Sequence, residues 1–208
     1  QLLSKDLCLE AIRLCLLLIN DSRTALPKVF ALLALMCFHA SRFESRKDTQ
    51  GKLVLYHDQD RNLWHKELIL RGEYYLNLSA EGNKMSKYHL EAAIAFWHSR
   101  REDQPEKWEK ILQLYNQLLQ IEYSPIAALN RTYALAKANS IEQAIHEAEK
   151  ISLNKNHLYH CLLAELYKHK DQQKAMVHIN KALSLTKSEQ ERAMILKLRT
   201  KTDRPKPF

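Results

Sequence analysis

The sequence predicts an all-α protein: antiparallel helix pairs stacked in a tetratricopeptide-like right-handed array, with one irregular polar segment near residues 43–60. Three observations predict it. Apolar residues recur at spacings of three and four along most of the 208 residues. Glycine occurs only 3 times, which favours helix and nearly excludes Gly-rich phosphate loops and dinucleotide-binding turns. Helix-start signals, either proline at the first helical position or a capping Ser or Asp, recur along the chain.

Each element follows from local pattern. Lys5 to Asn20 carries Leu7, Ala11, Leu14, Cys15 and Leu18 on one helical face. A second helix starts at Pro27 and runs through Leu32-Leu33-Ala34-Leu35-Met36 to about Arg42. The polar segment follows, with Gln50-Gly51 as its turn and Leu53-Val54-Leu55-Tyr56 briefly extended. Asp60 then caps a helix over Arg61 to Ala80. The next helix covers about Lys87 to Ser99. After Pro105, Trp108, Ile111, Leu112, Tyr115, Leu118 and Leu119 form an apolar stripe. Ser124-Pro125 opens a helix to about Lys137, and Ser140-Ile141-Glu142-Gln143 is a capping box for another. A helix from Leu158 to His169 is followed by one capped by Asp171, carrying Ala175, Ile179 and Ala182. Ser188-Glu189-Gln190-Glu191 opens a final helix ending near Thr200, and residues 201–208 form a frayed tail.

The later helices repeat. Trp108, Ala144 and Ala175 take equivalent places 36 and 31 residues apart, and Leu112, Ala148 and Ile179 follow each by four. That is close to the helix-turn-helix period of tetratricopeptide repeats. The chain therefore reads as one all-helical domain over residues 1–208, with N-terminal helices over about 5–80 and repeat-like pairs over about 87–200. Gln1 in place of Met, leading directly into a helical pattern, reads as a fragment of a longer protein with a partner domain upstream.

Composition narrows the function. Cys8, Cys15, Cys37 and Cys161 lie in apolar contexts without a Cys-x-x-Cys pair. Buried free thiols and a reducing, cytoplasmic setting are expected. The apolar run of residues 14–19 is too short to span a bilayer, and no secretory signal is present, so no membrane partner is expected. The net charge of +8 permits attraction to nucleic acid, yet Lys and Glu alternate along most of the chain and only the tail from Arg192 is lopsided. No catalytic constellation stands out. No serine sits in a strand-to-helix elbow, no cysteine has a base nearby, and Asp58 and Asp60 suit capping as well as catalysis. His157, His160, Cys161 and His169 cluster in sequence but lack zinc-site spacing, so neither metal nor cofactor is expected.

The polar segment and its flanks hold the candidate residues: Arg42, Arg46, Gln59, Asp60, Arg61 and Trp64, with Asn130 and Arg131 as further members. Two readings stand. Arginine and carboxylate groups tie the loop across the helices by charge-assisted hydrogen bonds, or the segment is a recognition surface for a partner. Trp64 reads as a core anchor on the stripe of Leu68 and Gly72.

Several blocks resemble a known family. They are Glu10-Ala11-Ile12-Arg13-Leu14; Leu32-Leu33-Ala34-Leu35-Met36 with His39, Ala40 and Arg42; Arg46; Gly51; Gln59-Asp60-Arg61 with Trp64; Tyr88 with Ala92-Ala93-Ile94-Ala95 and His98; Trp108, Leu114 and Tyr115; and Ser124-Pro125 with Leu129-Asn130-Arg131. Together they resemble the tetratricopeptide-like C-terminal extension of a group of bacterial extracytoplasmic-function RNA polymerase sigma factors. The chain departs from that pattern at Glu106-Lys107, Thr132 and Lys170-Asp171. The resemblance implies a regulatory, non-catalytic domain in transcription initiation. Its implied partners are the sigma N-terminal domains in cis and RNA polymerase or a regulatory protein, with DNA reached only through sigma domains missing from this chain. The alternative is a free-standing tetratricopeptide-like adaptor that binds a peptide.

Overall fold

Proline or a capping side chain opens most helices where the sequence places the signal. In the computed structural model, which describes residues 5–48, 54, 56–100 and 102–202, α1 spans Lys5–Ile19 and α2 spans Pro27–Ser41. Pro27 sits where its missing N–H is not needed and its fixed φ suits the first turn. α3 covers Lys66–Ser79 and α4 covers Lys87–Ser99. α5 (Pro105–Ile121) and α6 (Pro125–Ala138) again start on proline. α7 (Ile141–Glu149), α8 (His157–Tyr167) and α9 (Gln172–Leu185) are capped by the side chains of Ser140, Asn156 and Asp171. α10 runs over Glu189–Thr202, with Ser188 Oγ accepting from the Glu191 N–H.

These helices form an all-α array. α2 packs most extensively on α3, α5 on α6 and α8 on α9, while α4 bridges α2 and α5. Short connections make sequence neighbours antiparallel. Among the described residues the sole β feature is an isolated bridge at Lys47. The repeat register holds: Trp108, Ala144 and Ala175, and Leu112, Ala148 and Ile179, are all buried. The main core runs from Leu90 on α4 to Ala175 on α9. Two smaller clusters, around Cys15, Leu33 and Cys37 and around Ala34, Phe38 and Ala92, join α1 to α4. Gly72 permits the closest approach there, because a Cβ at that position would stand 2.8 Å from the Phe38 ring.

The structure corrects several expectations. α1 buries Cys15 and half-buries Ile12, Leu16 and Ile19, whereas Leu7, Leu14 and Leu18 on the expected face are exposed. The helix is apolar on nearly every side, so its sequence does not define one face. Asp60 is a cap, but of the short 3-10 turn Arg61–Leu63, and the α-helix begins only at Lys66. Trp64 ends that turn and is off the stripe of Leu68 and Gly72. It is buried all the same. Tyr56 opens a second 3-10 turn, Tyr56–Asp58, instead of ending an extended run. Gln50, Gly51, Leu53 and Leu55 lie outside the described residues, as do 203–208 of the tail, while α10 continues through Thr202. At Ser140, the cap accepts from the Gln143 N–H and its hydroxyl donates to Glu142, so that turn departs from the expected capping box. A reciprocal arrangement occurs instead at α4, where the Ser86 N–H donates to His89 Nδ1.

All four cysteines are free, with Cys15 and Cys37 buried and Cys8 and Cys161 partly so. Burial pushes the thiols of Cys37 and Cys161 up to about 11, which keeps them unreactive at neutral pH. No described helix is long and apolar enough to cross a membrane.

Candidate functional site

Among the described residues the polar segment is joined to its surroundings by an exposed ion pair, Lys5 Nζ to Glu44 (2.6 Å), and by bonds between neutral groups. The Val54 N–H donates to the Arg46 carbonyl (2.9 Å) and the His65 N–H to the Ser41 carbonyl (2.8 Å). Gln59 Nε2 donates to the Val54 carbonyl (3.3 Å), and Ser45 Oγ lies 3.2 Å from Gln59 Oε1. Across 42 residues of sequence, the Tyr56 hydroxyl donates to the His98 carbonyl in the last turn of α4 (2.5 Å). That bond satisfies one of the carbonyls that every helix C-terminus leaves open.

Aromatic rings extend this link. Tyr56 contacts Trp64 on one side (centroids 6.1 Å apart) and His98 on the other (5.1 Å). His98 then meets Trp108, and Trp108 meets Tyr133 of α6. The guanidinium of Arg42 lies 5.1 Å from the Tyr56 centroid and 5.7 Å from that of Trp64, with Arg61 5.6 Å from Trp64. Such cation–π contacts contribute about 0.5–2 kcal/mol each, more as the pair is desolvated.

Among the described residues, Arg42 and Asp60 form no arginine–carboxylate pair. Asp60 is exposed and its carboxylate accepts from the Asn62 N–H (2.9 Å). Arg42 is half-buried, and its contacts are the two rings. Burial, and then the neighbouring charge of Arg46, push its pKa down to about 10. Arg46 reaches His39 instead, with Nη2 3.1 Å from Nδ1. Partial desolvation, followed by the charges of Arg46 and Arg42, lowers the His39 pKa although part of the residue stays exposed to solvent. Burial and the Arg42 charge push His98 down to about 3, and its Nδ1 is buried without a hydrogen-bond partner among the described residues. Trp64 Nε1 shares that condition.

Arg42, His39 and His98 stand at one end of a cleft of about 420 Å³ between α2, α4, α5 and α6. Its walls include Leu35, Phe38, Ile94, Ala95, Leu118 and Ile126. At the other end Lys87 Nζ pairs with Glu122 (3.0 Å), and Glu91 is half-buried with its carboxyl pKa raised by desolvation. Asn130 lines this cleft beside Tyr115. Arg131 does not join it: its Nε donates to Asn116 Oδ1 (2.5 Å) on α5. Of the residues singled out by sequence, Arg42 and Asn130 thus share the cleft. Arg46 reaches His39, Trp64 carries Arg42 together with Tyr56, Arg61 lies against Trp64, and Gln59 bonds Ser45 and Val54. Sequence reasoning missed Tyr56, His98, Lys87 and Glu91 as site residues. The spacing of His39 to Arg42 and of Lys87 to Glu91 on helices was the available signal.

The histidines of α8 make a different arrangement from a metal site. His160 Nδ1 lies 3.0 Å from His178 Nδ1 and its Nε2 3.0 Å from the Asn154 carbonyl. Among the described residues no group of three or more His, Cys, Asp or Glu could hold a metal ion.

Comparison with known proteins places the first part of the chain. Residues 1–80 match a family of unknown function, DUF6596. The chain is also 34% identical over 197 residues to an uncharacterized protein of Rhizobium meliloti (strain 1021). That alignment covers 92% of this chain and 46% of the relative, so the chain spans about half the length of the protein it matches. No solved structure matches it.

Proposed function

We propose that this chain is the non-catalytic regulatory and interaction domain of a sigma factor of the extracytoplasmic-function group, acting in the cytoplasm during transcription initiation. The observation that carries the reading is the match of residues 1–80 to a family found at the C-terminus of sigma-70-like factors. The blocks from Glu10 to Arg131 support the narrower group. The cleft supports an interaction role, because it combines an apolar wall with Arg42, which pairs with no carboxylate among the described residues. In this reading the domain touches the sigma N-terminal domains in cis, or RNA polymerase or a regulatory protein, and so tunes polymerase engagement. DNA is read by the sigma domains alone. A peptide-binding adaptor is the second reading, favoured by the buried repeat register of Trp108, Ala144 and Ala175.

Promoter-dependent run-off transcription with the natural full-length protein tests this. Arg42→Gln, which removes the charge at the cleft, is expected to change transcript yield in this assay. A natural reading frame without a sigma module joined to this chain would refute the sigma reading and leave the adaptor.

A further inference from the structure

We infer that the cleft between α2, α4, α5 and α6 binds a short peptide segment in which an acidic residue stands next to large apolar side chains, with Arg42 taking the carboxylate. This inference rests on the reading of the domain as an interaction module and adds the chemistry of what it holds. The argument begins with Arg42. Burying a guanidinium is costly unless its donors are satisfied. Here the two ring faces of Tyr56 and Trp64 hold the side chain, and no carboxylate pairs with it among the described residues. Arg46, at the neighbouring His39, adds positive potential and no counter-charge. A planar guanidinium with its edges unpaired matches a carboxylate, two N–H groups to two oxygens.

A second observation points the same way. His98 Nδ1 faces no partner while buried at this end of the cleft. Its ring is pinned between Tyr56 and Trp108, so the nitrogen cannot turn to solvent without disturbing both. An incoming polar group would meet that unsatisfied position.

The rest of the lining selects a peptide over a simple fatty acid. Leu35, Phe38, Ile94 and Leu118 offer an apolar wall for neighbouring side chains. Glu91, however, is already half-desolvated further along the same wall. A hydrocarbon tail laid over it would bury a carboxylate with nothing in return. A peptide backbone brings N–H donors that can meet the Glu91 carboxylate, and Asn130 adds an amide to the lining. A volume of about 420 Å³ accommodates a few residues and falls in the range of formed ligand sites.

Fluorescence anisotropy with the complete 208-residue chain tests the inference. The probe is a fluorescein-labelled hexapeptide carrying one glutamate between leucine and phenylalanine. The matched peptide with glutamine in place of glutamate and free octanoate are the comparisons. Saturable binding of the acidic peptide is expected, weakened about tenfold or more when glutamine replaces glutamate or in Arg42→Gln, and less in Arg42→Lys. Thermal melting verifies that each variant is folded, and Ala95→Phe, which fills the cleft from the opposite wall, is expected to abolish binding with Arg42 intact. Absence of saturable binding, equal binding of the two peptides, binding unaffected by Ala95→Phe, or binding of octanoate alone would each overturn it. Because no sigma domain or polymerase is in the assay, its failure leaves the transcription test standing, and the converse holds too.

Discussion

Replacing Tyr56 by phenylalanine isolates the bond that joins the polar segment to α4. The substitution keeps the ring, and with it the contacts to Trp64, His98 and Arg42. It removes the hydroxyl that donates to the His98 carbonyl at 2.5 Å. That carbonyl belongs to the last turn of α4 and is left short of an acceptor bond. A neutral hydrogen bond contributes about 0.5–1.5 kcal/mol net, and an orphaned buried acceptor costs about 1–3 kcal/mol. With Tyr56 half-buried, a loss of about 1–2 kcal/mol is expected, a fall of roughly 2–8 °C in Tm for a chain of this size. Urea unfolding followed by circular dichroism should show a lower midpoint with an unchanged slope. Asp60→Ala is the comparison. It removes only the cap of a 3-10 turn on the surface and should cost about 0.5–1 kcal/mol. If charge pairing were the tie, Asp60→Ala would leave a buried arginine alone and cost about 3 kcal/mol or more. A Tyr56→Phe effect below about 0.5 kcal/mol, or one smaller than that of Asp60→Ala, refutes the neutral tie.

Other substitutions test neighbouring features. Gly72→Ala should gain about 1 kcal/mol of helix propensity but lose about 1–3 kcal/mol to overpacking against Phe38; a variant more stable than the parent in urea would show that Phe38 yields freely. His98 sets an acid dependence: an unfolded histidine takes its proton near 6.5, the folded one only near pH about 3. Between those values the unfolded chain binds more protons, so this contribution is complete above the upper value and is lost as pH falls, by up to ~1.4 kcal/mol per pH unit. His98→Phe should flatten the stability profile from pH 6 to 4, and an unchanged slope would assign it elsewhere. On α1, Leu14→Gln should stay within ~0.5 kcal/mol of the parent, whereas Leu33→Ala on α2, fully buried, should cost about 2–5 kcal/mol in the same melts.

Helix starts were legible because their causes are local. Pro27, Pro105, Ser124-Pro125, Ser140 and Asp171 each act within one turn, and each begins a helix in the structure. The buried face of α1 was not legible, since leucines surround that helix and only the docking of α2 selects Cys15 and Leu16 over Leu14. The start of α3 was misread for a related reason. Asp60 is a sound capping signal, but a cap does not state whether one 3-10 turn or a long helix follows it. Within the site, Arg42 and Asn130 stood out as polar residues in apolar surroundings. Tyr56 and His98 did not, because their significance is a contact across 42 residues that no local pattern records.

That long-range contact bears on how Arg42 is held, with no carboxylate against it among the described residues. A guanidinium offers two faces and a rim of donors. A structural arginine spends its rim on carboxylates, and its faces are incidental. Arg42 has the reverse arrangement: rings of the polar segment take its faces and leave the rim toward a cleft lined by other helices. The Tyr56 hydroxyl on the His98 carbonyl limits how far that ring can shift, and the His65 N–H on Ser41 anchors the chain beside Trp64. The charged stretch between α2 and α3 is thus joined to α1 by the exposed Lys5–Glu44 pair and to α2 and α4 by neutral bonds, and the neutral bonds set the posture of Arg42. In the proposed complex, tie and recognition are consequently one device. Tyr56→Phe should weaken acidic-peptide binding as well as stability, although Tyr56 itself does not line the cleft. Loss of stability with unchanged binding would separate the two roles and place the posture of Arg42 in α2 alone.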